Sequence, residues 1–182
     1  MSESRLPRVY FEEEQRFRQP WLRALIITLC SFLLGISTWA LVQQLGYQRP
    51  FGNHPLSDGG LVTLALTLIL LGAGLAWLFF GARLHTVVRE DGLFVRFSPF
   101  HRREKALGPS HLLRWHAREY RALREYGGWG IRYGAAGKAY NVSGNRGVQL
   151  EYSDGQRLLI GSQRPEELCR AIDLLMEPRL HQ

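Results

Sequence analysis

Two long stretches of this 182-residue sequence lack any ionisable side chain. Ala24 to Leu45 and Leu61 to Ala82 contain no Asp, Glu, Lys, Arg or His, and each exceeds the roughly 20 residues that a helix needs to cross a bilayer core. The absence argues against a transporter, a channel or a proton relay, because these generally carry an ionisable group within the membrane. The stretches predict a transmembrane helical hairpin with spans at about 22–45 and 61–82.

Cysteine is also scarce, and the sequence lacks the common motifs of catalytic and metal sites. Cys30 lies in the first apolar stretch and Cys169 in a predicted C-terminal helix, so we expect no disulfide between them. The histidines show no metal-ligand spacing, and the glycine cluster 127–137 lacks the Gly-Lys-Ser/Thr of a phosphate loop. We therefore expect no catalytic residue, no metal and no cofactor, and a protein that is not an enzyme.

Basic residues are unevenly distributed along the chain, whose net charge is +7. Of the 23 Lys and Arg residues, five precede the first span, Arg49 alone lies between the spans, and 17 follow the second span. This pattern predicts that both termini are cytoplasmic and that the loop 46–60 lies outside. The flanking residues that favour this orientation are Arg16, Arg18, Arg23, Arg83 and Arg89. The end of the first span, Val42-Gln43-Gln44-Leu45, offers no small-residue cleavage site for a signal peptidase.

The chain divides into three predicted regions: an N-terminal cytoplasmic arm (1–20), the transmembrane hairpin (21–82) and a cytoplasmic domain (83–182). Two alternatives stand for the arm: a short or frayed packing segment, or an amphipathic helix on the membrane surface. Within the hairpin, Ser31 and Gly35 share one helix face, as do Gly72 and Ala76. We expect these small-residue faces to meet inside the hairpin, although the same spacing could serve homodimerisation.

Two Asp-Gly turns mark predicted β-hairpins in the cytoplasmic domain. Asp91-Gly92 follows Thr86–Arg89 and precedes Leu93–Phe97, while Asp154-Gly155 separates alternating apolar residues on both sides. In the first hairpin Leu93, Val95 and Phe97 share one face, which we expect to be buried. Another strand is predicted from Leu113, Trp115 and Ala117, again with one buried face.

Shorter strands and a final helix complete the domain. Residues 127–134 and 138–142 predict two strands, with the glycines at bulges and tight bends. Pro165 opens the helix and Pro178 is expected to end it. Its apolar stripe consists of Leu168, Ala171, Ile172 and Leu175. The predicted fold is therefore an α+β membrane protein, in which a transmembrane hairpin precedes a bent antiparallel sheet of about seven strands capped by a C-terminal helix.

Two stretches carry a resemblance to a known group of proteins. Residues 125–132 (EYGGWGIR) and 147–162 (GVQLEYSDGQRLLIGS) resemble uncharacterised bacterial membrane proteins with two transmembrane helices and a cytoplasmic pleckstrin-homology-like (PH-like) domain, a domain of unknown function. The resemblance implies the PH-like fold, a bacterial origin and a place in the inner membrane. It implies no activity.

Basic residues of the domain are the candidate contacts for anionic lipid or for a protein partner. Arg102, Arg103 and Lys105 cluster in one loop, and a second patch comprises Arg114 and Arg118 together with Arg121 and Arg124. We expect a non-enzymatic, membrane-anchored interaction module that binds a protein partner or its own copies, is apposed to anionic lipid, and does not bind nucleic acid. The alternative is a small membrane enzyme or transport accessory protein with a site between the PH-like domain and the membrane.

Overall fold

The computed structural model describes residues 7–52, 54–108 and 111–180. The chain divides into two compact units, Arg18–Phe80 and the pair of segments Met1–Phe17 and Gly81–Gln182. The first unit is helical. It contains α1 (Pro20–Leu41), a π-helical turn (Val42–Gly46) and α2 (Asp58–Gly81). Both helices are long and apolar enough to cross a membrane, as expected from the two uncharged stretches.

The two long helices meet along one predicted face and one unexpected face. Gly72 of α2 is buried, as expected, and its carbonyl oxygen accepts a hydrogen bond from Cys30 Sγ at 3.3 Å. Ser31 and Gly35 of α1 are exposed, so the prediction that they face α2 is wrong. The buried positions of α1 are Ile26, Ser37 and Ala40, which share a different stripe. Two of these three residues, Ser37 and Ala40, are small, so small side chains are buried on α1, but on another stripe than the predicted one.

The second unit is a mixed α+β fold of two sheets and two helices. The first sheet has the order β1-β2-β3-β4 and is antiparallel. Its strands are β1 (Val9–Arg16), β2 (Arg83–Arg89), β3 (Gly92–Ser98) and β4 (Lys105–Leu107). The second sheet consists of β5 (Leu112–Glu119), β6 (Gly130–Gly134), β7 (Gly137–Asn141), β8 (Arg146–Tyr152) and β9 (Arg157–Gly161). The helices are α3 (Ala122–Tyr126) and α4 (Pro165–Leu180).

The strand count and the pairing of the second sheet differ from the prediction. The described residues form nine strands rather than about seven, and the second sheet is not purely antiparallel. Its order is β5-β8-β9-β7-β6, in which β7 pairs with β9 in parallel, from Lys138 opposite Leu158 to Tyr140 opposite Ile160. The hairpin of β6 and β7 therefore joins the sheet beyond β9. The sequences of the turns do not predict this parallel pairing.

The N-terminal arm is a strand, and the alternative of an amphipathic surface helix is wrong. Its described residues include β1, which pairs antiparallel with β2 from Val9 opposite Arg89 to Arg16 opposite Arg83. The first six residues of the predicted arm lie outside the described residues. The apolar helices are thus inserted in the sequence between two strands that are neighbours in one sheet.

The core lies between the sheets and α4. Both Asp-Gly hairpins form as predicted, between β2 and β3 and between β8 and β9. The predicted inward face of β3 and the predicted stripe of α4 are buried. These residues are Leu93, Val95, Phe97, Leu168, Ala171, Ile172 and Leu175. Helix α4 does not end at Pro178 but continues to Leu180, because a proline in the last turn removes only one helical hydrogen-bond donor.

Candidate functional site

Five of the basic residues singled out in the sequence lie on two different sheets. Arg102 and Arg103 are exposed in the loop between β3 and β4, and Lys105 begins β4 in the first sheet. Arg114 and Arg118 lie on β5 in the second sheet. The two predicted patches are therefore separate features of the unit, and each has its own surroundings.

Arg118 is occupied by internal contacts. Its guanidinium donates to Glu125 Oε2 at 2.8 Å, to the Tyr126 hydroxyl at 3.0 Å and to Gln149 Oε1 at 3.1 Å. Partial burial would raise the pKa of Glu125, but hydrogen bonds from the Arg121 N–H and from Arg118 outweigh it and lower that pKa. Arg118 thus ties α3 to the second sheet.

A groove lies beside the outer edge of β5. β5 is the terminal strand of its sheet, and no strand among the described residues pairs with its outer side. The depression has a volume of about 500 Å³. We call it the β5–α4 groove; it is lined by Leu113, Arg114, Trp115, His116, Glu151 and Asp173.

Trp115 and Leu113 are the two side chains of β5 that shape the β5–α4 groove. The Trp115 indole N–H donates to Asp173 Oδ1 at 2.7 Å, which fixes the ring between β5 and α4. Leu113 is 64% exposed, although alternation along the strand predicts a buried face shared with Trp115. A register shift between Leu112 and Arg114 makes Leu113 the extra residue of a β-bulge, and the bulge turns its side chain to the surface.

Alternate backbone N–H groups of β5 point away from β8, toward the outer edge of the sheet. Neighbouring N–H groups in a strand point to opposite sides. Tyr120 donates its N–H to the Asn145 carbonyl on the β8 side, so the N–H of Ala117 and that of Trp115 point to the outer edge. The backbone of Ala117 hydrogen-bonds the Cys169 thiol of α4, whose pKa burial raises to about 11. The uncharged thiol of Cys169 therefore holds the outer edge of β5 beside α4.

A second surface brings the two sheets together at the loop between β3 and β4. The His101 ring lies 5.7 Å from the Tyr140 ring, with an edge-on geometry. Lys138 Nζ lies over the Tyr140 ring at 4.7 Å and over the Tyr133 ring at 5.3 Å. We call this surface the basic end; it comprises Phe100, Arg102, Arg103, Lys105, Tyr133 and Lys138.

The charges of the basic end influence one another. Desolvation, followed by the positive charges of Lys105 and Lys138, lowers the pKa of His101, so His101 is neutral at pH 7. Partial burial would lower the pKa of Lys138, but hydrogen bonds with the side chains of Tyr140 and Tyr133 outweigh it and raise that pKa. Lys138 is therefore a fixed positive charge beside the loop.

Sequence reasoning missed Lys138. Its position opposite Tyr133 could have been read from the hairpin of β6 and β7. The nearness of Lys138 to His101 could not be predicted in this way. The two residues belong to different sheets, and neither turn sequences nor periodicity predicts how the sheets pack.

Two further depressions of the structure present few groups suited to catalysis. One of about 740 Å³ lies at α3 and is lined in part by Tyr120, Arg121, Arg124 and Trp129. Burial raises the pKa of Tyr120 to about 12, so its hydroxyl is no acid or base at neutral pH. The other, of about 310 Å³, lies within the helical unit and is mostly apolar. Within the described ranges, no three His, Cys, Asp or Glu side chains are grouped so that they could hold a metal ion.

The chain matches no model of a known protein family. No curated protein matches it either. The β5–α4 groove and the basic end are therefore the two surfaces from which a function can be inferred.

Proposed function

We propose that this chain is a non-enzymatic, membrane-anchored interaction module of the bacterial inner membrane. Its soluble unit is a PH-like domain in the cytoplasm, and the β5–α4 groove binds an extended segment of a protein partner or of a second copy of the chain. The apolar helices support the anchorage, and the resemblance of residues 125–132 and 147–162 supports the PH-like assignment and the bacterial origin.

The observation that carries the proposal is the outer edge of β5 beside α4, with which no strand among the described residues pairs. An extended peptide can add to such an edge as a further strand, with backbone hydrogen bonds for affinity and side-chain pockets for selectivity. Leu113 supplies an exposed apolar contact, and Arg114 and His116 flank it. Because Glu151 and Asp173 also line the groove, its charge is mixed, and this combination suits an extended segment with an apolar anchor.

The pairing of β1 with β2 supports cytoplasmic placement of both termini. The strands precede and follow the apolar helices but are neighbours in one sheet. Segments that pair in this way must lie on the same side of a membrane, so the chain between them crosses an even number of times. Two spans meet that condition, and the excess of basic residues outside the loop 46–60 favours the cytoplasm for both ends.

Site-specific photocrosslinking in cells tests the groove. A photoreactive amino acid replaces Leu113 in the full-length chain, and in a matched variant it replaces Leu123, which is equally apolar and 67% exposed. We expect a discrete adduct at position 113 and none of that mass at position 123. An adduct of twice the chain mass identifies a second copy as the occupant, and any other mass identifies a separate partner.

Loss of binding in a charged variant completes the test. Leu113→Asp should abolish recovery of the crosslinked partner by the full-length protein in mild detergent, because a carboxylate replaces the apolar contact. Leu123→Asp introduces the same charge at a similarly exposed site and should leave recovery unchanged. Equal recovery from Leu113→Asp and the unmodified chain would refute the groove as the binding site.

A further inference from the structure

The loop of the basic end follows β3 at one end of the first sheet. At this end the chain leaves β1 for the apolar helices and returns from them into β2. Arg16, Arg83 and Ser98 stand side by side in the register of β1, β2 and β3. Residues 17–19 alone separate β1 from α1, and Ala82 alone separates α2 from β2. The loop that carries Phe100, Arg102 and Arg103 begins one residue after Ser98.

The positive charges of the basic end have no carboxylate partner among the described residues. The salt bridges of the described chain include none to Arg102, Arg103, Lys105 or Lys138. Glu104, the acidic residue within the loop, is instead bound by Arg89 at 2.8 Å. Three exposed cations in and beside the loop, and the partly buried Lys138 of the second sheet, therefore have no neighbouring carboxylate in the described part of the chain to neutralise them.

Exposed aromatic side chains accompany these cations. Phe100 is 61% exposed and Tyr133 is 75% exposed. Amphipathic aromatic side chains such as Tyr are enriched in the headgroup region of a bilayer, because the ring is apolar and the hydroxyl group is polar. Basic residues near an anionic leaflet strengthen binding by roughly fivefold each at low salt. Cations and aromatic rings on one surface thus match an anionic bilayer better than they match a soluble anion.

We propose that the basic end docks on anionic phospholipid of the membrane that anchors the chain, with Arg102, Arg103, Lys105 and Lys138 against the phosphates and Phe100 and Tyr133 among the headgroups. This inference rests on the proposed membrane anchorage. It assigns no lipid contact to Arg118, which is held by α3, nor to Arg114, which lines the β5–α4 groove.

A fluorescent reporter at Phe100 tests the docking. Cys30→Ser and Cys169→Ala remove the native thiols from the full-length chain, Phe100→Cys accepts an environment-sensitive fluorophore, and Leu123→Cys provides a reporter on another face. Both proteins are reconstituted into nanodiscs of phosphatidylcholine alone or with added phosphatidylglycerol. We expect a blue shift at position 100 that requires phosphatidylglycerol and disappears at high salt, with no such shift at position 123.

Matched charge reversals separate a local contact from a general effect of net charge. Arg102→Glu with Arg103→Glu should abolish the shift, since each reversal loses more than the roughly fivefold contribution of one basic residue. Arg121→Glu with Arg124→Glu changes the net charge equally at exposed sites near α3 and should preserve the shift.

The outcomes distinguish docking from anchorage. Retention in nanodiscs without a phosphatidylglycerol-dependent shift overturns the docking and leaves the anchorage intact. An equal loss of the shift in both double variants also overturns the docking. A chain that does not remain in the nanodiscs overturns anchorage and docking together.

Discussion

Glu13 links β1 to the segment before α4 in the second unit. Its carboxylate is almost fully buried, accepts a hydrogen bond from the Ser162 hydroxyl at 2.6 Å and accepts another from the Gln163 N–H at 2.9 Å. The neighbouring Gln15 donates to the Gly161 carbonyl at 2.7 Å. These bonds join β1 to the segment that leads from β9 into α4, which forms one wall of the β5–α4 groove.

Removing this carboxylate should destabilise the second unit. Glu13→Ala leaves the buried Ser162 hydroxyl and the partly buried Gln163 N–H without this partner, and we expect a loss of about 1–3 kcal/mol in the free energy of unfolding. Denaturant-induced unfolding of the full-length protein in detergent, followed by tryptophan fluorescence, measures the change. Glu14→Ala is the control, because Glu14 forms an exposed salt bridge with Arg16 that is worth about 0–1 kcal/mol. A loss no larger for Glu13→Ala than for Glu14→Ala would contradict this role.

Elements that depend on nearby sequence could be predicted, and elements that depend on distant partners could not. The two Asp-Gly hairpins and the stripe of α4 follow from turn chemistry and periodicity within a few residues. β1 contains Glu12-Glu13-Glu14, a run that disfavours strands on intrinsic grounds. It is a strand because β2 pairs with it and because Ser162 satisfies the buried Glu13, and neither partner is close in sequence.

The same distinction holds for the candidate sites. The basic loop 102–105 could be identified from its composition, whereas Lys138 joins it only through the contact between His101 and Tyr140. The edge position of β5 depends on which strand ends the sheet. The exposure of Leu113 depends on a bulge, which a simple alternation of apolar residues does not reveal.

The close packing of α3 on the second sheet requires glycine at one position. A Cβ at Gly134 would overlap the carbonyl oxygen of Glu125, so backbone approaches backbone there. Gly134→Ala should lower stability by about 1–3 kcal/mol, because the overlap forces α3 to move. Thermal unfolding of the full-length protein measures the effect. Gly108→Ala, where a Cβ meets open space, should be close to neutral, and equal melting temperatures for the two variants would refute the tight contact.

At the scale of the whole molecule, strand pairing and charge distribution lead to the same proposed orientation. The paired β1 and β2 require both flanks of the helices on one side, and the basic residues favour the cytoplasm for that side. Strand pairing depends on the fold and charge distribution depends on composition, so these two properties of the chain are independent.

Labelling in intact cells tests this orientation. In the full-length chain without native cysteines, Tyr47→Cys places a thiol at a residue that is 67% exposed in the loop between the helices. We expect a membrane-impermeant maleimide added outside the cells to modify this thiol. Leu123→Cys in the second unit should react only after permeabilisation. The reverse pattern would overturn the cytoplasmic placement, and modification of both sites in intact cells would contradict the anchorage.

The insertion of the helices between β1 and β2 also imposes an order on biosynthesis. A ribosome completes β1 before either helix, yet the strand's partner β2 is translated only after both. Ser162, which binds Glu13, is made later still. Under the proposed anchorage, the nascent β1 therefore stays unpaired while the two helices are inserted into the membrane. A chain whose second helix fails to insert cannot close this sheet, and its unpaired strands would mark it for quality-control proteases.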